Sequence, residues 1–124
     1  MKSKRPINLD LTTLSFPPMA IASILHRVSG IVLFLLLPLV LYVLDLSLQS
    51  SSSFAQLQTM FSCWCFKLGL WIFGAALIYH LLAGVRHIIA DLGWGETVPF
   101  ARFTAYLVMA LALGSVLLLG IWIW

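Results

Sequence analysis

The 124-residue chain is strongly apolar: 62% of its residues are hydrophobic, 9% are charged, and its mean hydropathy is +1.07. A water-soluble domain of this size could not bury so much apolar surface, and the length leaves no room for a separate soluble catalytic domain. Three segments of about 20 apolar residues, each able to cross a hydrocarbon core about 30 Å thick, would account for most of the chain. The composition therefore predicts one all-α membrane domain, residues 1–124, with three transmembrane helices.

The charged and sulfur-containing residues exclude two other classes of protein. Seven Lys and Arg against four Asp and Glu give a net charge of +3, but the charges lie at segment ends and form no basic run, so we expect no nucleic-acid partner. Cys63 and Cys65 have no second cysteine pair and no C-x-x-C-H motif for covalent haem attachment. We interpret them as small packing residues rather than as a metal or redox site.

The first half of the chain begins with a polar, basic tail, residues 1–18, that ends in the pair Pro17-Pro18. We expect this tail to lie at the cytoplasmic interface. The first predicted span, 20–45, contains Pro38 as a candidate kink. The Ser- and Gln-rich stretch that follows reads as a loop, with a candidate short surface helix in the sequence FAQLQTMF.

The second half contains two further predicted spans, 63–90 and 103–124. Between them the sequence DLGWGET, with its two glycines and two acidic residues, favours a turn. The third span has no ionisable side chain and ends in Trp122 and Trp124, which are typical of helix anchors at lipid headgroups.

The distribution of Lys and Arg predicts an N-inside, C-outside topology. By the positive-inside rule, the N-terminal end and the connection between spans two and three belong in the cytoplasm. Lys67 is the exception and could extend toward the outer surface by snorkelling. Six of the seven Lys and Arg agree with this topology: Lys2, Lys4, Arg5, Arg27, Arg86 and Arg102.

A polar stripe crosses the cytoplasmic end of the first span. Ser23, His26, Arg27 and Gly30 follow an i, i+3, i+4, i+7 spacing, which places them on one helix face. In one interpretation the charged groups reach lipid phosphates while Ser23 and Gly30 allow close helix packing. In the other, the stripe belongs to a functional site and faces protein, cofactor or water, since ionisable groups inside membrane helices are costly and commonly functional.

A second stripe, formed by His80, Gly84 and His87 with Arg86 beside it, favours the functional interpretation. The second span runs opposite to the first, so both stripes reach the same side of the membrane. A lone buried histidine is often only a packing residue, but Gly84 would let a flat ring approach the backbone beside His80.

A b-type haem fits this arrangement. His80, deeper in the membrane, would bind the iron, and His26, Arg27 and His87 would meet the haem propionates near the surface. His80 and His87 project from one helix face and are about 10 Å apart along the axis. They cannot both ligate one iron, so the other axial ligand must come from elsewhere.

Two motifs, SILHRVSG and HLLAGVRHIIAD, resemble those of the cytochrome b membrane-anchor subunits of succinate dehydrogenase, and the N-terminal RPINLDL resembles the proteobacterial form. The similarity covers nearly the whole chain, although residues 46–66 and the third span match only in character. The resemblance implies a subunit of complex II in the bacterial inner membrane. There, a flavoprotein subunit oxidises succinate as a step of the tricarboxylic acid cycle. The electrons then pass through an iron-sulfur subunit to ubiquinone.

The resemblance also implies roles for individual residues, and no catalysis by the isolated chain. His80 corresponds to the haem b axial ligand, with the second ligand supplied by a smaller partner anchor subunit in a shared helix bundle within membrane lipid. His26, Arg27 and His87 correspond to positions near the propionates, and Ser23 and Arg27 to residues that line the ubiquinone pocket. Asp91 corresponds to an acid with either a proton-transfer or a structural role. A fumarate reductase anchor and a non-redox three-helix scaffold are the alternatives.

Overall fold

The computed structural model describes residues 15–95 and 97–124. These ranges contain four helices and no strand: α1 (Pro18–Gln49), α2 (Ser51–Met60), α3 (Trp64–Asp91) and α4 (Val98–Ile123). Three of them, α1, α3 and α4, are long and apolar enough to cross a membrane. The predicted three-helix membrane architecture is therefore confirmed, whereas most of the basic tail, including RPINLDL, lies outside the described residues.

Helix α1 begins at the proline pair. Pro17 has extended backbone angles at the N-cap, and Pro18 occupies the first helical position, where its missing N–H is not needed. With 32 residues, α1 is about 48 Å long and exceeds the thickness of a hydrocarbon core. Pro38 lies inside α1 without ending it. The predicted span 20–45 falls within this helix, and its membrane limits stay a prediction.

The Ser-rich segment after α1 starts a new helix. Ser50 has extended backbone angles that end α1, and its hydroxyl accepts a hydrogen bond from the Ser53 N–H at 3.1 Å. The Ser53 hydroxyl in turn accepts from the Ser50 N–H, which completes a capping box. The short helix predicted in FAQLQTMF is confirmed, and it begins three residues before that sequence.

Two glycines shape the connection between α3 and α4. Gly93 and Gly95 both have φ of 80°, a left-handed conformation that favours glycine. The N–H groups of Gly93 and Trp94 bond to the carbonyls of Ala90 and Ile89, so the last turn of α3 ends in a Schellman motif. The turn predicted for DLGWGET is confirmed over residues 92–95, and Glu96 lies outside the described residues.

Small side chains form the contacts between the long helices. α3 packs against both α1 and α4, and it runs antiparallel to each. The buried positions of the long helices hold Ala22, Ser29, Ala83, Ala105, Val108 and Ala112, and no large side chain of the described residues is fully buried. Small residues let membrane helices approach closely, while most of the large apolar side chains face outward.

Candidate functional site

Three histidines meet between α1 and α3 at one end of the bundle. The His26 ring lies between the two histidines of α3: its centroid is 4.2 Å from that of His80, with the planes at 17°, and 5.0 Å from that of His87. The antiparallel packing of α1 and α3 brings these residues together, as the two stripes predicted. The structure therefore contains an imidazole cluster inside a long apolar helix pair.

Hydrogen bonds fix the tautomer of His80. Its Nδ1 lies 3.2 Å from the His26 carbonyl oxygen and 3.2 Å from the Ser29 hydroxyl. A carbonyl oxygen can only accept, so the bond requires a proton on Nδ1. The other ring nitrogen, Nε2, then keeps a free lone pair, and no described residue hydrogen-bonds to it. This is the state in which a histidine binds a metal.

Ser29 and Gly30 form the wall of α1 against the His80 ring. Ser29 is 7% exposed, and its hydroxyl donates to the His26 carbonyl at 2.8 Å. At Gly30, an added Cβ would lie 3.2 Å from His80 Cε1, which is closer than ordinary packing allows. The spacing in the sequence places Gly30 on the stripe but not Ser29. A serine next to a polar stripe could have been recognised as a candidate contact.

The His26 ring has an unsatisfied nitrogen. Its Nε2 is buried and has no hydrogen-bond partner among the described residues. An added Cβ on Gly84 would lie 3.4 Å from this atom, so Gly84 makes room for His26. In the structure the His26 ring lies beside Gly84, and the approach of a haem to this glycine stays a prediction.

His87 and the other predicted site residues, Ser23, Arg27 and Asp91, make no side-chain hydrogen bond within the described part of the chain. Ser23 is half-buried and Arg27 is exposed, four residues apart on the same side of α1. His87 is half-buried beside His26, and Asp91 is exposed at the last position of α3.

Arg86 points away from the histidines. Its Nε donates to the Thr104 hydroxyl at 3.1 Å, and its Nη2 donates to the Ala101 carbonyl at 3.1 Å. From the sequence we expected Arg86 beside the histidine stripe. In the structure its hydrogen bonds join α3 to α4 instead. On the same helix, the Tyr79 hydroxyl donates to the Ala22 carbonyl at 3.0 Å and so joins α3 to α1.

Within the described ranges, no three His, Cys, Asp or Glu side chains are arranged to hold a metal ion by themselves. In the cluster, His80 Nε2 keeps a lone pair when Nδ1 carries the proton, and His26 Nε2 is a buried nitrogen without a hydrogen-bond partner among the described residues. The fold and site together define a small multi-pass membrane protein with an imidazole cluster at one end of its helix bundle.

Comparison with known proteins identifies the family. Residues 1–119 match the succinate dehydrogenase/fumarate reductase transmembrane subunit family, so the chain belongs to that family. It is 48% identical to the succinate dehydrogenase cytochrome b556 subunit of Coxiella burnetii, over the full length of both chains. The protein of that name from Paracoccus denitrificans is 33% identical, covering 94% of this chain and 88% of the relative. The Rickettsia prowazekii protein is 31% identical, with 96% and 93% covered.

Proposed function

We propose that this membrane subunit acts in a succinate dehydrogenase of the bacterial inner membrane, where it holds haem b through His80 and helps to form the ubiquinone-reduction site. The relatives are named as cytochrome b subunits, and the similarity to the first of them extends over the complete chain. The observation that carries the proposal is the hydrogen bond from His80 Nδ1 to the His26 carbonyl, since it leaves Nε2 available for iron.

The residues of the cluster fit a haem. His80 would supply one axial ligand, and His26, Arg27 and His87 would supply donors for the propionates, for which the unsatisfied His26 Nε2 is one candidate. When bound, haem b takes up and releases one electron at a time. Because the His26 ring is stacked beside the His80 ring, it would not lie on the opposite side of an iron bound to His80 Nε2, and we assign the second axial ligand to a smaller partner anchor subunit.

Ser23 and Arg27 are suited to bind a quinone at the same end of the bundle. A serine hydroxyl can donate a hydrogen bond to a quinone carbonyl, and a nearby guanidinium can stabilise the negative charge that develops during reduction. The exposed position of Arg27 leaves its donors available to a ligand or to another subunit. The rest of this pocket would come from the iron-sulfur subunit and the partner anchor, while the flavoprotein oxidises succinate.

Two alternative functions are compatible with the three long helices. The matched family also includes fumarate reductase subunits, which work in the opposite direction, and the residues of this chain do not set the direction. A non-redox scaffold would explain the three long helices but leaves the half-buried histidine cluster without a purpose. Asp91, exposed at the end of α3, could serve either proton transfer or the helix end.

The ligand assignment is tested by comparing two histidine variants of the assembled complex. His80→Leu should abolish or strongly change the reduced-minus-oxidised spectrum of haem b, because it removes the iron ligand. His87→Leu is the matched control and should keep the iron ligated while lowering haem affinity. An unchanged low-spin spectrum in the assembled His80→Leu complex would eliminate this assignment, and loss of the spectrum in His87→Leu alone would transfer it to His87.

The quinone assignment is tested by comparing two electron acceptors. Ser23→Ala removes one hydrogen bond, worth about 1 kcal/mol or a factor of about 5 in rate, and Arg27→Leu removes charged hydrogen bonds worth about 1.5–3 kcal/mol, or roughly 10- to 100-fold. Both losses should appear with ubiquinone and be absent with a water-soluble acceptor.

Arg102→Leu, which removes an exposed cation from α4, is the matched control for the loss of charge. Haem content is measured in every variant because Arg27 also has a proposed propionate contact. Equal losses with both acceptors in an assembled complex would contradict a local quinone role.

A further inference from the structure

The Ser29 hydroxyl contacts the His80 ring, and the proposed function assigns it no role. We propose that Ser29 is a positioning residue for the haem ligand: together with the His26 carbonyl it holds the His80 ring in its Nδ1–H form and strengthens electron donation from Nε2 to the iron. This inference rests on the proposed role of His80 as the axial ligand. It concerns a residue that contacts the proposed axial ligand, His80.

Three short distances define the arrangement. Ser29 Oγ donates to the His26 carbonyl at 2.8 Å, and His80 Nδ1 lies 3.2 Å from that carbonyl and 3.2 Å from Ser29 Oγ. Because the serine proton is directed to the carbonyl, the lone pairs of Oγ are left to accept from His80. The Nδ1–H therefore has two oxygen acceptors.

The opposite tautomer is disfavoured by the same contacts. With a bare Nδ1, the serine could turn its proton to the ring, but the nitrogen lone pair would then face the lone pairs of the His26 carbonyl at 3.2 Å. Ser29 is 7% exposed, and the apolar surroundings increase the cost of such a repulsive contact. Of the two neutral tautomers, these contacts favour the one with the proton on Nδ1 and the lone pair on Nε2.

The hydroxyl has a second effect, on the strength of the ligand. Hydrogen bonding from the non-ligating N–H of a histidine raises the basicity of the ligating nitrogen. A more strongly donating nitrogen favours the oxidised iron and lowers the reduction potential of the haem. Loss of one of the two acceptors should therefore raise that potential.

The test is a redox titration of haem b in the purified, assembled complex carrying Ser29→Ala. We expect the reduction potential to rise and the haem affinity to fall by about 10-fold, which is typical for the loss of a hydrogen-bonding partner of a metal ligand. Ser29→Thr keeps a hydroxyl and should restore both properties. Ser47→Ala is the matched control, because Ser47 makes the same kind of bond, to the Leu44 carbonyl at 2.6 Å, on an exposed part of α1.

The outcomes separate this inference from the proposed function. A wild-type or lowered potential in Ser29→Ala overturns the role of the hydroxyl, and so does equal loss of haem from Ser29→Ala and Ser29→Thr. Loss of haem from Ser29→Ala that Ser29→Thr restores supports it. His80→Leu, measured in parallel, tests the axial ligand itself: if that variant keeps the wild-type haem spectrum, the proposed ligand is wrong and the inference falls with it.

Discussion

Gly30 offers a graded test of how tightly α1 encloses the His80 ring. A Cβ at this position would lie 3.2 Å from His80 Cε1 and 3.5 Å from Nδ1. Contacts between carbon atoms are optimal at about 3.5–4.0 Å, so Gly30→Ala must move the ring by at least about 0.3 Å. The ring has little freedom to move, because its other face is stacked on His26 at a centroid distance of 4.2 Å.

The cost of that displacement can be given an order of magnitude. Forcing a side chain off its preferred rotamer costs about 0.5–1.5 kcal/mol, which corresponds to a roughly 2- to 12-fold loss of haem affinity. Gly30→Val adds two more carbons against the same ring and should cost about 1–3 kcal/mol, as other overpacked sites do. Alanine is a better helix former than glycine by about 1 kcal/mol, so weakening of α1 itself would not explain such a loss.

The assay is the haem-to-protein ratio of the purified complex, followed over a titration with added haem. Gly114→Ala and Gly114→Val are the matched controls, because an added Cβ on this α4 glycine meets no atom within 4 Å. We expect a graded decrease from alanine to valine at Gly30 and no change at Gly114. A Gly30→Val complex that loads haem as well as the wild type would refute the close contact.

Two further predictions concern stability and topology. Arg86→Leu should destabilise the assembled complex by about 1–2 kcal/mol, since it removes two interhelical hydrogen bonds to α4, whereas Arg102→Leu, at an exposed position, should change its thermal unfolding little; equal effects of the two would show that the bonds contribute nothing. Reporter fusions should place the 93–95 turn in the cytoplasm and Trp124 outside, and the reverse activities would overturn the N-inside topology.

Most of the fold follows from the hydropathy of the sequence. Uncharged runs near the crossing length predicted three spans, and the paired glycines predicted the turn after α3. The limits of the helices were harder to predict, because the membrane imposes no end on a helix that continues beyond it. Ser50 illustrates the point: a serine run that interrupts an apolar segment also supplies the cap for α2.

The histidine cluster followed from two features of the sequence, the polar spacing within each span and the opposite direction of consecutive spans. The rotation of each helix about its own axis did not follow. Small residues buried between the helices, such as Ala22 and Ala83, favour one rotation, but an apolar span contains too many small residues to identify from the sequence which of them will be buried. For this reason Ser29, and not only the predicted stripe, faces His80, while Arg86 faces α4.

The acceptors of the interhelical bonds explain why the details of the site were not predictable. Four polar side chains of α3 donate to backbone carbonyls of the neighbouring helices: Trp71 to Val116, Tyr79 to Ala22, His80 to His26 and Arg86 to Ala101. In a bilayer without water a buried donor must find its acceptor within the protein. Every residue carries a carbonyl with two lone pairs, so the acceptor leaves no trace in the sequence.

For the same reason, these interhelical hydrogen bonds should tolerate substitution of the acceptor residues and be sensitive to substitution of the donor residues. Replacing Ala22 or Ala101 by another small residue keeps the accepting carbonyl, but replacing a donor on α3 removes the bond and leaves the neighbouring helix without that contact. For His80 the consequence is larger than packing, because the His26 carbonyl directs the proton to Nδ1 and leaves Nε2 as the nitrogen that can bind iron. The backbone of α1 thus determines which nitrogen of a side chain on α3 is chemically available.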